Sequence, residues 1–353
     1  GKGLWTLAVL AALVTPSIGG GKAKGRQAQG EANPSNVAVV EGDMMMSSPS
    51  YDDPEHASGE TMQASSPGID GQAAATQIAA PAAHRTMRGA GIVVAVLDAG
   101  FNTDHPYLAG RLTPWHFDAI GMDGDPNDAG DGYDNDGDGL VDECVGHGTF
   151  VAGMVLLAAP DAQVMCVRVL DDEGRGDALR IAEGLRFAMD HGAHVINLSL
   201  EMSHAFGPVQ ELIEECEARG IVVVCSAGND GDDSLGRIAS IATTLAVGAV
   251  DGQDRIAPFS NFGRGFRSVA VYAPGVELRG PVGYPHPEAN AVWSGTSFAT
   301  PLVSGAAALA LQRYPGATPA FVRGHLEDST RRITDSNGKQ ARGGRIDLEL
   351  VVR

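Results

Sequence analysis

Five short apolar runs, with helical patterns between the first four, constrain this chain more than any other feature. They span 92–97, 164–170, 193–200, 221–225 and 245–250 and are dominated by Val, Ile, Leu and Ala. The runs are continuous rather than alternating, so both faces of each strand must be covered. Helical patterns around 148–158, 177–191 and 208–219 supply the cover. Strands alternating with helices build βαβ units. The expected fold is therefore α/β, three-layered and doubly wound around a mainly parallel central sheet. In such sheets ligands and chemistry sit at the carboxyl ends of the strands.

The residues ahead of this pattern differ in kind. Lys2 precedes an apolar stretch at 4–14, and Ser17 and Gly19 supply small residues, so 1–19 reads as a secretory signal peptide. The stretch is too short to span about 30 Å of hydrocarbon. A secreted, extracytoplasmic protein with no stable membrane insertion after signal cleavage is expected. Residues 20–83 are rich in Gly, Ala, Ser, Pro and Gln and contain no Leu, Phe, Trp or Cys. Such a stretch buries too little to offset its ordering entropy, so it reads as a disordered linker or pro-segment. That leaves 84–353 as the one folded domain. The net charge of −19 excludes a nucleic-acid binder, which needs a basic face. Four cysteines, Cys144, Cys166, Cys216 and Cys225, are too few for a disulfide scaffold and read as buried small residues. Sequence alone cannot choose among their pairings.

Three segments at strand or helix ends carry reactive side chains. Asp98 follows the run at 92–97 as its first charge. His147, in Gly146-His147-Gly148-Thr149, opens an apolar helix among small residues. Ser297, in Ser294-Gly295-Thr296-Ser297, lies near the start of another apolar helix, where backbone N–H groups favour negative charge. Taken singly they read as a turn aspartate, a structural histidine and an N-cap serine. Together they supply what a serine nucleophile needs, namely a base for its proton and an acid to orient that base. Ala299 stands two residues after Ser297, which departs from the Gly-x-Ser-x-Gly elbow of α/β-hydrolases.

The order Asp, His, Ser and the residues around each resemble the subtilisin-like serine proteases, or subtilases, over roughly 84–353. The resemblance implies a subtilisin-like fold and a serine endopeptidase acting on proteins or peptides, with Asp98, His147 and Ser297 as catalytic residues. It implies that Asn229, in Ala227-Gly228-Asn229, donates to the oxyanion. It also implies that Ser199, Leu200, Glu201, Ala227 and Gly228 border the substrate, the first as part of an edge strand that pairs with it. A monomer is expected. Two departures matter. Ala99 stands where the family usually has Ser or Thr beside the aspartate, and Glu201 where it commonly has Gly. With Asp230, Asp232 and Asp233 nearby, Glu201 suggests a preference for Lys or Arg before the scissile bond.

The largest departure precedes His147. Nine acids fall within 123–143, and no Lys or Arg occurs from 112 to 167. Such crowding repels itself unless cations neutralise it. Asp134, Asp136, Asp138 and Asp142 alternate as in a calcium loop, although the twelfth position of an EF-hand is filled by Val145. Structural Ca²⁺ is therefore expected, with no organic cofactor. Two other functions stay open at this point: a catalytically silent calcium-binding protein on the same fold, and a peptide ligase or cyclase using the same acyl-enzyme.

Overall fold

Side chains in the apolar runs divide by parity. Val94 and Val96 enter one hydrophobic cluster while Ala95 and Leu97 enter another. Val222 and Val224 oppose Val223 and Cys225 in the same way. This is the period-two signature of strands buried on both faces.

The computed structural model describes the backbone of Val37–Val39 and residues 68–128, 130–137, 139–202, 206–264, 268–283, 286, 288–335 and 337–353. All fall within Asn36–Arg353. In chain order the elements are β1 (Val37–Val39), α1 (Ala73–Gln77), α2 (Ala80–Ala83), β2 (Val93–Asp98), β3 (Phe117–Asp118) and α3 (His147–Ala158). Then come β4 (Gln163–Arg168), β5 (Arg175–Asp177), α4 (Ala178–Asp190), β6 (Val195–Leu198), β7 (Glu201–Met202) and α5 (Gly207–Ala218). The chain continues through β8 (Val222–Ser226), β9 (Thr244–Val250), β10 (Val271–Pro274), β11 (Leu278–Pro281), β12 (Asn290–Trp293) and α6 (Thr296–Arg313). It closes with α7 (Pro319–Asp328), β13 (Thr330–Thr334), β14 (Gln340–Ile346) and α8 (Leu348–Val351).

Among the described residues nine strands form one sheet in the order β13-β14-β10-β9-β8-β6-β2-β4-β3. Every pairing is parallel except β13 with β14. The order reverses at β2, with β4 and β3 on one side and β6, β8 and β9 on the other. Asp98 ends β2, so it lies at the switch point where such sheets bind ligands. One face is covered by α3, α6, α7 and α8, the other by α4 and α5. Helix α4 is amphipathic, burying Ile181, Ala182, Leu185, Ala188 and Met189, and Asp177 caps it by accepting from Leu179 N and Arg180 N. Helices α3 and α6 are buried on all sides for most of their length. They pack closely because Gly305 lacks a Cβ, which would fall 2.5 Å from the Ala158 Cβ.

The observed strands and helices coincide with the predicted ones to within a few residues. The folded part, however, reaches back from 84 to Gly68. Ile69, Ala74, Ala75, Ile78, Ala80 and Ala83 join the cluster around α6. Polar bonds fix this arm: Gln72 bonds Arg279 through both its amide nitrogen (2.9 Å) and its amide oxygen (3.1 Å). The Leu348 N–H donates to the Ile78 carbonyl at 2.8 Å. The predicted signal at 1–19 and the rest of 20–67, apart from Val37–Val39, lie outside the described residues.

Candidate active site

Asp98 and His147 meet because α3 starts against the end of β2. Gly148 permits this approach: a Cβ there would lie 2.7 Å from the Ala99 carbonyl oxygen. Both side chains are fully buried, and His147 Nδ1 donates to Asp98 Oδ1 at 2.6 Å. The Ala99 N–H also donates to Oδ1, at 2.8 Å. A backbone donor thus helps hold the carboxylate where Ala99 supplies no hydroxyl. The bond fixes the ring proton on Nδ1 and leaves Nε2 as the basic nitrogen. Nε2 is buried and has no hydrogen-bond partner among the described residues, a costly state for a polar atom.

The ring of His147 packs on Phe298, the neighbour of Ser297, with centroids 5.1 Å apart. Phe150 and Trp293 complete this apolar wall. Ser297 lies in the first turn of α6, 3% exposed. Its hydroxyl donates to the Ser199 carbonyl at 3.4 Å. The Asp98–His147 half of the expected triad is therefore bonded, while the serine hydroxyl rests on another acceptor. Such catalytic bonds are often loose before substrate arrives.

Asn229 is aimed by its oxygen end. Its Oδ1 accepts from Thr296 N at 3.0 Å and Thr296 Oγ1 at 3.1 Å. A Cβ on Gly295 would lie 3.8 Å from Asn229 Nδ2. The amide nitrogen therefore lies near Gly295, which precedes α6.

A further device positions the serine. Pro301 lies four residues after Ser297, so α6 offers no N–H to the Ser297 carbonyl. The Ser199 hydroxyl takes that place, donating to Ser297 O at 2.7 Å. Asn197 Nδ2 donates to the Ser199 hydroxyl at 3.0 Å, and Ser304 Oγ donates to Asn197 Oδ1 at 2.8 Å. Sequence reasoning missed Asn197 and Ser304, although a proline four residues after a candidate nucleophile was a readable signal.

Of the expected substrate-bordering residues, Leu200 buries its side chain in the α4–α5 cluster. Gly228 has φ 114°, and a Cβ there would strike the Asn261 amide. Glu201 is half-buried against Gly236. Burial first, and the charges of Asp230 and Asp232 next, raise its carboxyl above the ordinary value, with Arg237 opposing. Asp233 is taken up by an ion pair with Arg264, and Asp232 accepts from Ser234. All four cysteines are buried thiols. Burial pushes the Cys144 thiol well above its usual range, which removes it as a nucleophile beside His147.

The acidic segment is organised by backbone donors. Asp134 accepts from Gly137 N and Gly139 N, and Asp142 from Asp131 N and Gly132 N. Asp138 lies outside the described residues. Two groups of carboxylates have oxygens within 4.8 Å of one another: Asp131, Asp142 and Asp172, and Asp136, Glu143 and Glu173. In the second, Glu173 is 6% exposed and its Oε2 is buried with no hydrogen-bond partner among the described residues. An all-carboxylate oxygen set with an orphaned buried oxygen fits Ca²⁺. Of the expected Asp134, Asp136, Asp138 and Asp142, Asp136 falls in this second group, Asp142 in the first and Asp134 in neither; Glu143 and Glu173 join Asp136, Glu173 from the turn after β4 that sequence spacing could not connect.

A model of the subtilase family matches residues 89–344. Subtilisin BL of Lederbergia lenta is 36% identical over 272 residues, which cover 74% of this chain and 92% of that protein. Thermitase of Thermoactinomyces vulgaris is 32% identical over 268 residues, covering 76% and 91%. The solved structure of a cold-adapted subtilisin-like serine proteinase aligns with a TM-score of 0.64 at 26% identity, covering 74% of this chain and 90% of that one.

Proposed function

Because the chain belongs to the subtilase family and is a serine-type endopeptidase, we propose that Asp98, His147 and Ser297 are its triad and cut peptide bonds through an acyl-enzyme. The observation that carries this is the His147 ring, held by Asp98 at Nδ1, with an unpartnered Nε2, packed on the residue beside Ser297. The Ser297 hydroxyl leaves the Ser199 carbonyl and gives its proton to Nε2 as Oγ attacks the substrate carbonyl. Asp98 stabilises the imidazolium that forms. Asn229 Nδ2 and the Ser297 N–H donate to the oxyanion. His147 returns the proton to the leaving amine, then activates the water that releases the acid.

Labelling of the purified chain with a fluorophosphonate tests this. The expected adduct is on Ser297 and vanishes in His147→Ala. No adduct on a folded protein, in Ca²⁺ or in EGTA, would overturn the reading and leave a silent calcium-binding fold. Cleavage products that gain no water would mark a ligase or cyclase instead.

The same reading makes the protein a secreted monomer, its export directed by residues 1–19. Among the described residues no helix is long and apolar enough to cross a membrane. Asp136, Glu143 and Glu173 would hold Ca²⁺, whose contribution is to neutralise the insert. Glu201 would favour Lys or Arg before the scissile bond. A peptide-library profile preferring apolar residues there would reject that assignment.

A further inference from the structure

Asn261 is a buried carboxamide, 1% exposed, in the loop between β9 and β10. It meets the residues on either side of Asn229. The Asn261 N–H donates to the Gly228 carbonyl at 2.8 Å. Its Nδ2 donates to Asp230 Oδ2 at 3.2 Å, and its Oδ1 accepts from Asp232 N at 3.2 Å. The two ends of the amide thus match a carboxylate, which accepts, and an N–H, which donates. Two backbone bonds run beside them, from Gly231 N to the Phe259 carbonyl at 2.7 Å and from Phe262 N to the Asp232 carbonyl at 3.0 Å.

Gly228 is shaped by this contact. Its φ is 114°, and a Cβ would stand 2.1 Å from Asn261 Nδ2. The amide therefore occupies space that any other residue at 228 would fill. Asn261 is in turn tied to the central sheet. Ser260 Oγ donates to the Asn261 carbonyl at 3.1 Å and accepts from Ala249 N, in β9, at 2.9 Å. The loop after β8 is thus pinned on both sides of Asn229, while Thr296 holds the Asn229 Oδ1 from α6. Helix α6 orients the Asn229 amide, and Asn261 fixes the backbone that carries it.

We propose that Asn261 is a positioning residue of the oxyanion site, acting through Asn229 by holding the backbone on which that side chain stands. The proposal rests on Asn229 as an oxyanion donor. Such a donor helps when it already lies where the charge develops, so a displaced backbone loses transition-state binding and keeps ground-state binding. The signature is a fall in kcat with KM nearly constant.

A kinetic double-mutant cycle on an apolar peptide substrate tests this. Asn261→Leu keeps the volume and removes both side-chain bonds. Asn261→Asp sets two carboxylates together, and adding Asp230→Asn restores that bond in the reverse direction. Asn261→Leu and Asn261→Asp are each measured alone and with Asn229→Ala, beside the melting temperature. Asn261→Leu alone should lower kcat by roughly tenfold, since a misplacement of about 1 Å can cost on the order of 10²-fold. In the Asn229→Ala background either variant should lose less than about twofold more, because both changes act on one group. Asp230→Asn should return most of what Asn261→Asp loses. If Asn261→Leu fails to fold, the near-isosteric Asn261→Asp carries the cycle. Wild-type kcat in both Asn261 variants, an equal loss in both backgrounds, or no rescue would overturn the proposal and leave Asn229 standing. Wild-type kcat in Asn229→Ala would remove the donor and the proposal with it.

Discussion

Asp98 and the acidic insert before His147 both concentrate negative charge, under opposite rules. Asp98 is fully buried, and its bonded oxygen meets two donors supplied by the fold, His147 and the Ala99 N–H. In the insert, Asp123, Asp131 and Asp134 are exposed, and the carboxylates turn onto their own loop's backbone. Among the described residues Arg168, facing Asp118 and Asp128, and Arg175, on Asp136, bring positive charge from the strands. One region is preorganised by the protein. The other has a buried oxygen on Glu173 that a cation would satisfy. Removing a side chain should therefore damage the first most, and removing an ion the second.

The largest effects should come from the buried pair and its serine. Ser297→Ala and His147→Ala should each lower kcat by about 10⁶-fold, the scale known for the serine and histidine of subtilisin's own triad. Asn229→Ala should cost about 10²–10³-fold in kcat with little change in KM. Steady-state kinetics on a peptide substrate checks both. None of the three substitutions should alter the response of the melting temperature to Ca²⁺.

Chelation should do the reverse. With Ca²⁺ at about a hundred times its Kd the folded state gains roughly 2.7 kcal/mol, which is about 5–10 °C in Tm for a domain of this size. Calorimetry in Ca²⁺ and in EGTA should show that gap in wild type and its loss in Glu173→Gln. Labelling of Ser297 well below the EGTA transition should change far less, because the bonds of the Asp98 side chain come from His147 and the Ala99 N–H rather than from the described residues of the insert. An unchanged Tm would break the contrast between the two regions.

A subtler test probes how the protein holds the serine. Ser199→Ala would leave the Ser297 carbonyl buried without a donor, at about 1–3 kcal/mol. Pro301→Ala restores an N–H four residues on, so it should recover part of that loss in the double variant. A denaturant double-mutant cycle reads the coupling directly. Strict additivity would mean that the hydroxyl is not substituting for the missing helix bond.

Much of this was legible because local pattern and chemistry agreed. Continuous apolar runs yielded the buried strands, and Asp98, His147, Asn229 and Ser297 all stand where a run ends or a helix begins. What escaped depended on contacts distant in sequence. The helices within 73–83 are mostly Ala, a composition that looks like linker until Gln72, just ahead of them, meets Arg279. Glu173 joins Asp136 and Glu143 only because the turn after β4 folds against the insert. β1 is three residues long, and its pairing with both β5 and β7 exists only in the tertiary structure.

Glu201 lies between the two regimes, and its pH dependence gives the smallest effect. Its carboxyl titrates above the ordinary 4.5, chiefly through burial and then through Asp230 and Asp232. A carboxyl raised on folding favours the folded state while protonated. That contribution is present below the unfolded value and is lost as pH rises through the folded one. Glu201→Gln should therefore raise Tm slightly at neutral pH and leave it unchanged near pH 4. In the same variant kcat/KM should fall for substrates with Lys or Arg before the scissile bond and hold for apolar ones. A Tm gain equal at both pH values would mean that charge is not what the site works against, and Glu201 would then be a packing residue over Gly236.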